Sequence, residues 1–142
     1  RARAHAPGAP FGFLVQRMGE PGTELVLGVS TDPVFGPLLM VGLGGVYVEI
    51  LKDVRFGLVP LTPTIAQRML RRLKSFPLLE GARGAKPVDL AAVEQALLRL
   101  SQLVEDHPEI LECDINPLVA RPDGVLALDA RVRVARPSAS PA

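Results

Sequence analysis

Residues 112–131 read ECDINPLVARPDGVLALDAR, and the way this stretch folds back on itself decides the fold. Pro122-Asp123-Gly124 is turn chemistry between two β-rich runs, Ile110 to Ala120 and Val125 to Val134. If Asp123-Gly124 forms a two-residue turn, the favoured hairpin connection, then Pro122 faces Val125, Asn116 faces Arg131 and Asp129 faces Leu118. Side chains alternate along a strand, so one face takes Cys113, Ile115, Val119, Leu126, Leu128, Val132 and Val134, a core face. The other takes Glu112, Asp114, Asn116, Asp129 and Arg131, with Asn116 and Asp129 diagonal neighbours. Three carboxylates beside one arginine are costly unless a cation neutralises them. Mg²⁺ suits such a site, because one or two carboxylate oxygens suffice and water and phosphate complete its shell. A solvated polar face on an edge hairpin accounts for the same residues, and a one-residue slip would dissolve the grouping.

Upstream of this hairpin the pattern alternates between strands and helices. Phe11 to Met18 and Thr23 to Ser30 are β-rich and flank a Gly19-Glu20-Pro21-Gly22 turn, which predicts an antiparallel pair. Thr31-Asp32-Pro33 is a turn. Leu38 to Leu43 is a short apolar run suited to a strand covered on both faces, and Val46 to Leu51 resumes β character after Gly44-Gly45. Such a glycine pair either lets backbone N–H groups approach a phosphate or marks a bend in a strand. Thr62-Pro63 starts a helix to about Ser75, with Ile65, Ala66, Met69, Leu70 and Leu73 on one face. Its basic residues Arg68, Arg71, Arg72 and Lys74 form a solvated outer face rather than an anion site. After a Gly/Pro loop at 80–87, Asp89 caps a second helix on which Leu90, Val93, Leu97, Leu100 and Val104 recur at helical spacing, and His107-Pro108 ends it. Strands, two helices and a closing hairpin indicate an α+β (or α/β) domain with a mostly antiparallel sheet packed against two helices.

Composition sets the outer bounds. The chain has 142 residues, 48% hydrophobic and 22% charged, no Trp and a net charge of +1. One aliphatic-cored domain fits that length. The charge gives no case for nucleic acid or a membrane surface. A single cysteine, Cys113, excludes an internal disulfide framework and fits a reducing, cytoplasmic setting. The longest apolar stretch, Phe35 to Ile50, is too short and glycine-broken to span a bilayer. Residues 1–10 read as an Ala/Pro linker, 11–134 as the domain and 135–142 as a flexible tail. With Arg1 in place of Met, the expectation is a piece of a longer protein.

Five stretches, in order, resemble one family. Gly22-Thr23-Glu24 with Gly28, Asp32 and Phe35-Gly36-Pro37 is the first, and Gly42-Leu43-Gly44-Gly45-Val46-Tyr47-Val48-Glu49 with Lys52-Asp53 the second. Pro77-Leu78-Leu79-Glu80-Gly81-Arg83-Gly84, then Glu112-Cys113-Asp114-Ile115-Asn116-Pro117-Leu118, then Leu128-Asp129-Ala130-Arg131 complete the set. Together they resemble the C-terminal part of the ATP-grasp domain in succinyl-CoA synthetase β subunits and ADP-forming acyl-CoA synthetases. The resemblance implies that Asn116 and Asp129, with Asp114 beside them, ligate a Mg²⁺ that bridges the phosphates of ATP or ADP. It implies that Gly44, Gly45 and Glu49 lie against the nucleotide. It further implies phosphoryl transfer between ADP/ATP and a phosphohistidine. Neither His5 nor His107 is placed to be that histidine.

The resemblance also implies what this chain lacks: the other, nucleotide-binding half of the ATP-grasp cleft, and the CoA-binding and histidine-bearing ligase domains. Those are its expected partners, and the chain alone is expected to turn nothing over. One departure concerns Gly57, which follows Phe56 where the family usually has an arginine. Lys52-Asp53 reads as a local ion pair, and Glu24 either lines the cleft or begins a strand. The alternative to a synthetase fragment is a non-catalytic, regulatory ATP-grasp module fused to a protein acetyltransferase. Gly57 leans toward that alternative, and an intact Asp114, Asn116 and Asp129 toward the enzyme.

Overall fold

The computed structural model describes residue 15, residues 18–44 and residues 53–135, the Arg83 side chain excepted. The predicted strand at Phe11 to Met18 and both expected linkers fall largely or wholly outside these residues, and the Val46 to Leu51 strand wholly so. The described elements are β1 (Thr23–Asp32), β2 (Gly36–Leu43), β3 (Val54–Leu58), α1 (Pro63–Arg71), α2 (Phe76–Leu79), a 3₁₀ turn (Ala82–Gly84), α3 (Leu90–Asp106), β4 (Ile110–Arg121), β5 (Gly124–Ala127) and β6 (Ala130–Val134). All pairings are antiparallel, in the order β3-β2-β1-β4-β5, with β6 on β4 as well. The sheet with its helices is the α+β arrangement that the sequence pattern predicts.

Each element starts where its chemistry allows. The β1–β2 turn closes on Asp32, whose Oδ1 accepts the N–H groups of Val34 and Phe35 at 2.8 and 2.9 Å. Those backbone bonds, Phe35's first, hold the carboxyl below its ordinary value. Thr62 Oγ1 accepts from Ile65 N at the head of α1, with Pro63 in the first turn. Asp89 Oδ1 accepts from Ala92 N at the head of α3, while Asp89 N donates to Arg121 O and ties that helix to the end of β4. The first helix stops at Arg71, short of the expected Ser75, and the chain turns into α2.

One face of the sheet is the core. Leu25, Leu27 and Val29 of β1 and Leu39, Val41 and Leu43 of β2 share a buried cluster with Ala66, Met69 and Leu70 of α1 and Val93, Leu97, Leu100 and Val104 of α3. The two helices are joined across this layer by Ser101 Oγ, which accepts Leu61 N at 2.8 Å. Gly57 belongs to this side. A Cβ there would lie 2.6 Å from Met69 Sδ and 2.7 Å from a Leu61 methyl, so position 57 points into the helix layer. Among the described residues no helix is long and apolar enough to cross a membrane.

Asp53 corrects the expectation of a surface ion pair. It is 4% exposed, and its two oxygens accept the N–H groups of Lys74 and Ser75 at 2.9 and 2.7 Å, fastening the α1–α2 turn to the start of β3. Arg55 approaches at 3.6 Å. Burial is the largest influence and opposes ionisation. The neighbouring Ser75 side chain, the two N–H groups and Arg55 outweigh it together, and the pKa is lowered.

Three outcomes are expected. Asp53→Ala orphans two N–H donors and lowers unfolding free energy by about 2–4 kcal/mol in urea titrations. A lowered folded-state pKa means that the carboxylate stabilises the fold fully above its unfolded value, near 3.8, and loses that contribution as pH falls through the lower folded value. The gap between wild type and Asp53→Asn should therefore narrow in acid below that range. Gly57→Arg, by overpacking the Met69–Leu61 contact, should cost about 1–3 kcal/mol or more in the same titration.

Candidate metal and phosphate site

The second face of the sheet carries the polar cluster. Its middle is paved by Gly28 and Ser30 of β1, Met40 of β2, Phe56 of β3, and Glu112 and Asp114 of β4, which together line a shallow depression of about 230 Å³. Gly28 sits opposite both Met40 and Asp114 and puts no side chain into the depression.

The hairpin that closes the chain differs in register from the sequence expectation. Arg121, not Pro122, is the last paired residue of β4. It faces Gly124, whose φ of 135° suits glycine, and Pro122-Asp123 make the turn. The whole register is therefore offset by two residues. An even offset leaves each side chain on its face and changes only its partner. Asn116 now lies directly across from Asp129: Asn116 N donates to Asp129 O at 3.2 Å and Leu128 N to Pro117 O at 3.0 Å. Arg131 faces Asp114, and Arg133 faces Glu112.

The expected core face of the hairpin is corrected as well. Cys113 and Ile115 do face the helices, but beyond Asn116 it is Leu118, Ala120, Val125 and Ala127 that do so, not Val119, Leu126 and Leu128. The cause is a register shift against β1 between Leu25 and Leu27, where β4 carries one residue more than its partner. That bulge falls at Asn116-Pro117, joined by a cis peptide bond. Proline cannot donate to the ladder and is found in sheets at such interruptions. Leu126 and Leu128 are 43% and 44% exposed, and with Met18, Gly19, Glu20 and Arg121 they border a second depression. Val132 and Val134, on β6, are more than half exposed.

The charges on the open face divide into two groups. Glu112 is ion-paired with Arg133; that bond first, and the arginine's charge after it, holds the Glu112 carboxyl below its ordinary value and raises Arg133. Asp114, Asn116 and Asp129 are exposed. Arg131 Nε stands 3.9 Å from Asp129 Oδ2, too long for a hydrogen bond. Among the described residues no three His, Cys, Asp or Glu side chains form a metal-binding group. The donor set is thus one carboxylate and one amide oxygen face to face, with Asp114 two residues from Asn116 along β4. That is too few for a closed all-protein cage, and it fits a hard divalent cation that keeps water and phosphate ligands.

The remaining expected site residues separate. Gly44 N donates to Glu24 O at 2.6 Å, and a Cβ at Gly44 would lie 2.9 Å from the Glu24 backbone. Its N–H is therefore occupied, and a side chain at this position would meet the facing strand. Gly45 and Glu49 lie outside the described residues. His107 bonds Glu109 at 3.2 Å on the surface, in the turn that precedes β4. The Glu112–Arg133 pair is the feature that the sequence had not suggested, because the expected register put Arg133 elsewhere.

Comparison with known proteins supplies the context. Over 132 residues the chain is 45% identical to acetate–CoA ligase (ADP-forming) I subunit beta of Pyrococcus furiosus, covering 92% of this chain and 57% of that one. It is 48% identical over 121 residues to acetate–CoA ligase (ADP-forming) I of Archaeoglobus fulgidus, covering 85% of this chain and 18% of that protein. Among solved structures, the apo form of the dinucleotide-forming acetyl-coenzyme A synthetase 1 of Ca. Korarchaeum cryptofilum superposes with a TM-score of 0.82 at 42% identity, covering 84% of this chain and 57% of that one. The same enzyme in complex with coenzyme A and Mg-AMPPCP gives 0.80 at 43% identity, covering 82% of this chain and 55% of that one. The chain thus spans little more than half of the shorter relatives it matches. A model of the ATP-grasp domain matches residues 1–134, and the chain belongs to that family.

Proposed function

We propose that this chain is the metal- and nucleotide-phosphate-binding part of an ADP-forming acyl-CoA synthetase of the acetyl-CoA synthetase type. The observation that carries the proposal is the facing pair Asn116 and Asp129 on the uncovered side of the sheet. A Mg²⁺ held by the Asn116 amide oxygen and a Asp129 carboxylate oxygen would supply Lewis-acid polarisation and a template for phosphates. Asp114, beside them, adds negative charge that favours a cation over any anion approaching alone. Exposure of all three suits a site completed by nucleotide phosphates and water, and the bulge after Asn116 marks where the polar run of β4 ends. The chemistry served is phosphoryl transfer between ADP/ATP and a phosphohistidine.

The partners of this part are the nucleotide-binding half of the cleft and the CoA-binding and histidine-bearing domains, in the same chain or in a partner chain. Relatives longer than this chain support that division. The regulatory alternative loses the feature that favoured it. Position 57 faces Met69 and Leu61, so glycine there removes nothing from the open face. The site is intact by this measure, and we adopt the cytoplasmic, catalytic reading.

Two measurements check the proposal. In the complete enzyme, Asn116→Ala or Asp129→Asn should lower Mg²⁺-dependent ATP formation from acetyl-CoA, ADP and phosphate by about a hundredfold or more, in the range for losing a metal ligand or its support. Activity within a few-fold of wild type in both variants would refute the assignment. The 142-residue chain alone should bind Mg-ADP more weakly than about 10 μM by calorimetry, because half of the ligand's contacts lie elsewhere.

A further inference from the structure

Two arginines stand on the open face of the hairpin, and their situations differ. Arg133 is held by Glu112. Arg131, one register position nearer to the metal pair, is 84% exposed in its side chain and lies between two carboxylates without closing on either. Asp114 is its cross-strand partner, and Asp129, two residues back on the same strand, is 3.9 Å from its Nε. Gly28, beyond Asp114 on β1, offers no side chain to either. On one side of it stands Asn116, which carries no charge, and on the other the Glu112–Arg133 pair, whose charges are committed to each other.

We infer that Arg131 is the resident counter-ion of the metal pair, one that disfavours bare divalent cation and favours cation delivered together with phosphate. This inference rests on the metal placement proposed above. With no cation bound, the guanidinium offsets Asp114 and Asp129, which otherwise repel each other across the face. A bare cation entering at Asn116 and Asp129 brings two positive charges against that guanidinium. A cation arriving as its nucleotide complex brings phosphate oxygens as well. The guanidinium turns from Asp129 to a phosphoryl oxygen, a bidentate partner of the type it binds best, and the repulsion becomes attraction. The loose 3.9 Å contact is what such an exchange requires: close enough to screen the carboxylate, and without hydrogen bonds that must break. Glu112 and Arg133 show the alternative on the same face, a closed pair whose arginine is not available for exchange. Arg131 is thus a positioning and selectivity residue, acting on the order in which metal and nucleotide bind.

The test uses the ¹⁵N-labelled chain and Mn²⁺, whose paramagnetism broadens amide signals near its site even when binding is weak. Without nucleotide, Arg131→Gln should bind Mn²⁺ about three- to tenfold more tightly than wild type, the size expected for one charge at an exposed site in moderate salt. Arg131→Lys, which keeps the charge, should stay near wild type. With ADP present the order should reverse, with Arg131→Gln weaker than wild type by a similar factor. Unchanged or weaker Mn²⁺ binding by Arg131→Gln without nucleotide overturns the inference, as does an affinity gain that persists with ADP. Asp129→Asn separates the two levels. If it abolishes broadening around Asn116 and Asp129 while Arg131→Gln changes nothing, only the arginine's role fails. If broadening persists there in Asp129→Asn, the metal placement fails and the inference with it.

Discussion

The structure depends on a single interruption in one strand. β4 is paired on both sides, to β1 along one edge and to β5 and β6 along the other. At Asn116-Pro117 it carries one residue more than β1. Alternation is strict in a strand, so one extra residue exchanges the faces of everything that follows. Before the bulge, Cys113 and Ile115 point to the helices and Glu112, Asp114 and Asn116 to the open side. After it, Leu118 and Ala120 take over the core. A strand without the bulge would have to bury Val119 against the helices and expose Leu118 and Ala120, or else turn its carboxylates inward. The bulge lets one strand be apolar on the helix side throughout and still gather its polar residues at one place. It also separates β5 from β6, leaving Asp129 in the gap opposite Asn116.

This interruption is also what the sequence rendered least well. The Asp and Asn residues were legible as a face because they fall two apart, and an even error in register preserved that face. Glycine at the turn misled in a specific way. Asp123-Gly124 is the usual two-residue turn, yet here Gly124 is the first paired residue, with a φ of 135°, and Pro122-Asp123 form the corner. The difference moved Asp129 from a diagonal to a direct partner of Asn116. The helices were clearer, because Thr62-Pro63 and Asp89 are caps with a physical mechanism and the apolar spacing of 93, 97, 100 and 104 has one period. The C-terminal limit of α1 was not, since what ends it is Asp53, distant in sequence, binding Lys74 and Ser75 by their backbone. No local pattern at 71–75 carries that information.

Glycines illustrate the same separation between local and distant causes. Gly44 invites a functional reading because it stands inside a stretch that resembles a nucleotide-binding family, and Gly57 because it departs from that family's usual arginine. In the fold each has a packing neighbour that leaves no room for a Cβ: the Glu24 backbone for Gly44, Met69 and Leu61 for Gly57. Gly28 differs. The nearest atom to a Cβ there is the end of the flexible Met40 side chain, at 3.2 Å, and the residue lies on the open face across from Asp114. Its bareness shapes the depression beside the acidic pair, where the other two glycines shape the protein's interior.

The two faces of the sheet therefore answer to different solvents. The helix side is dry, and among the described residues Asp53 and Ser101, two of its buried polar groups, are closed on backbone donors. The open side keeps Asp114, Asn116 and Asp129 in water, where their charge is weakly felt and easily rearranged. Around that polar patch stand Phe56 and Leu58, both more than half exposed, and farther along the β1–β2 turn Val34 and Phe35. Apolar groups beside exposed carboxylates lower the local dielectric once a second surface covers them, and a cation–phosphate contact then strengthens without any new residue being added. The same carboxylates that are tolerable in water would be intolerable under such a cover unless cation and phosphate came with it. Under the proposed function, closure and metal–nucleotide binding would become mutually dependent: each would remove the electrostatic or hydrophobic cost that opposes the other.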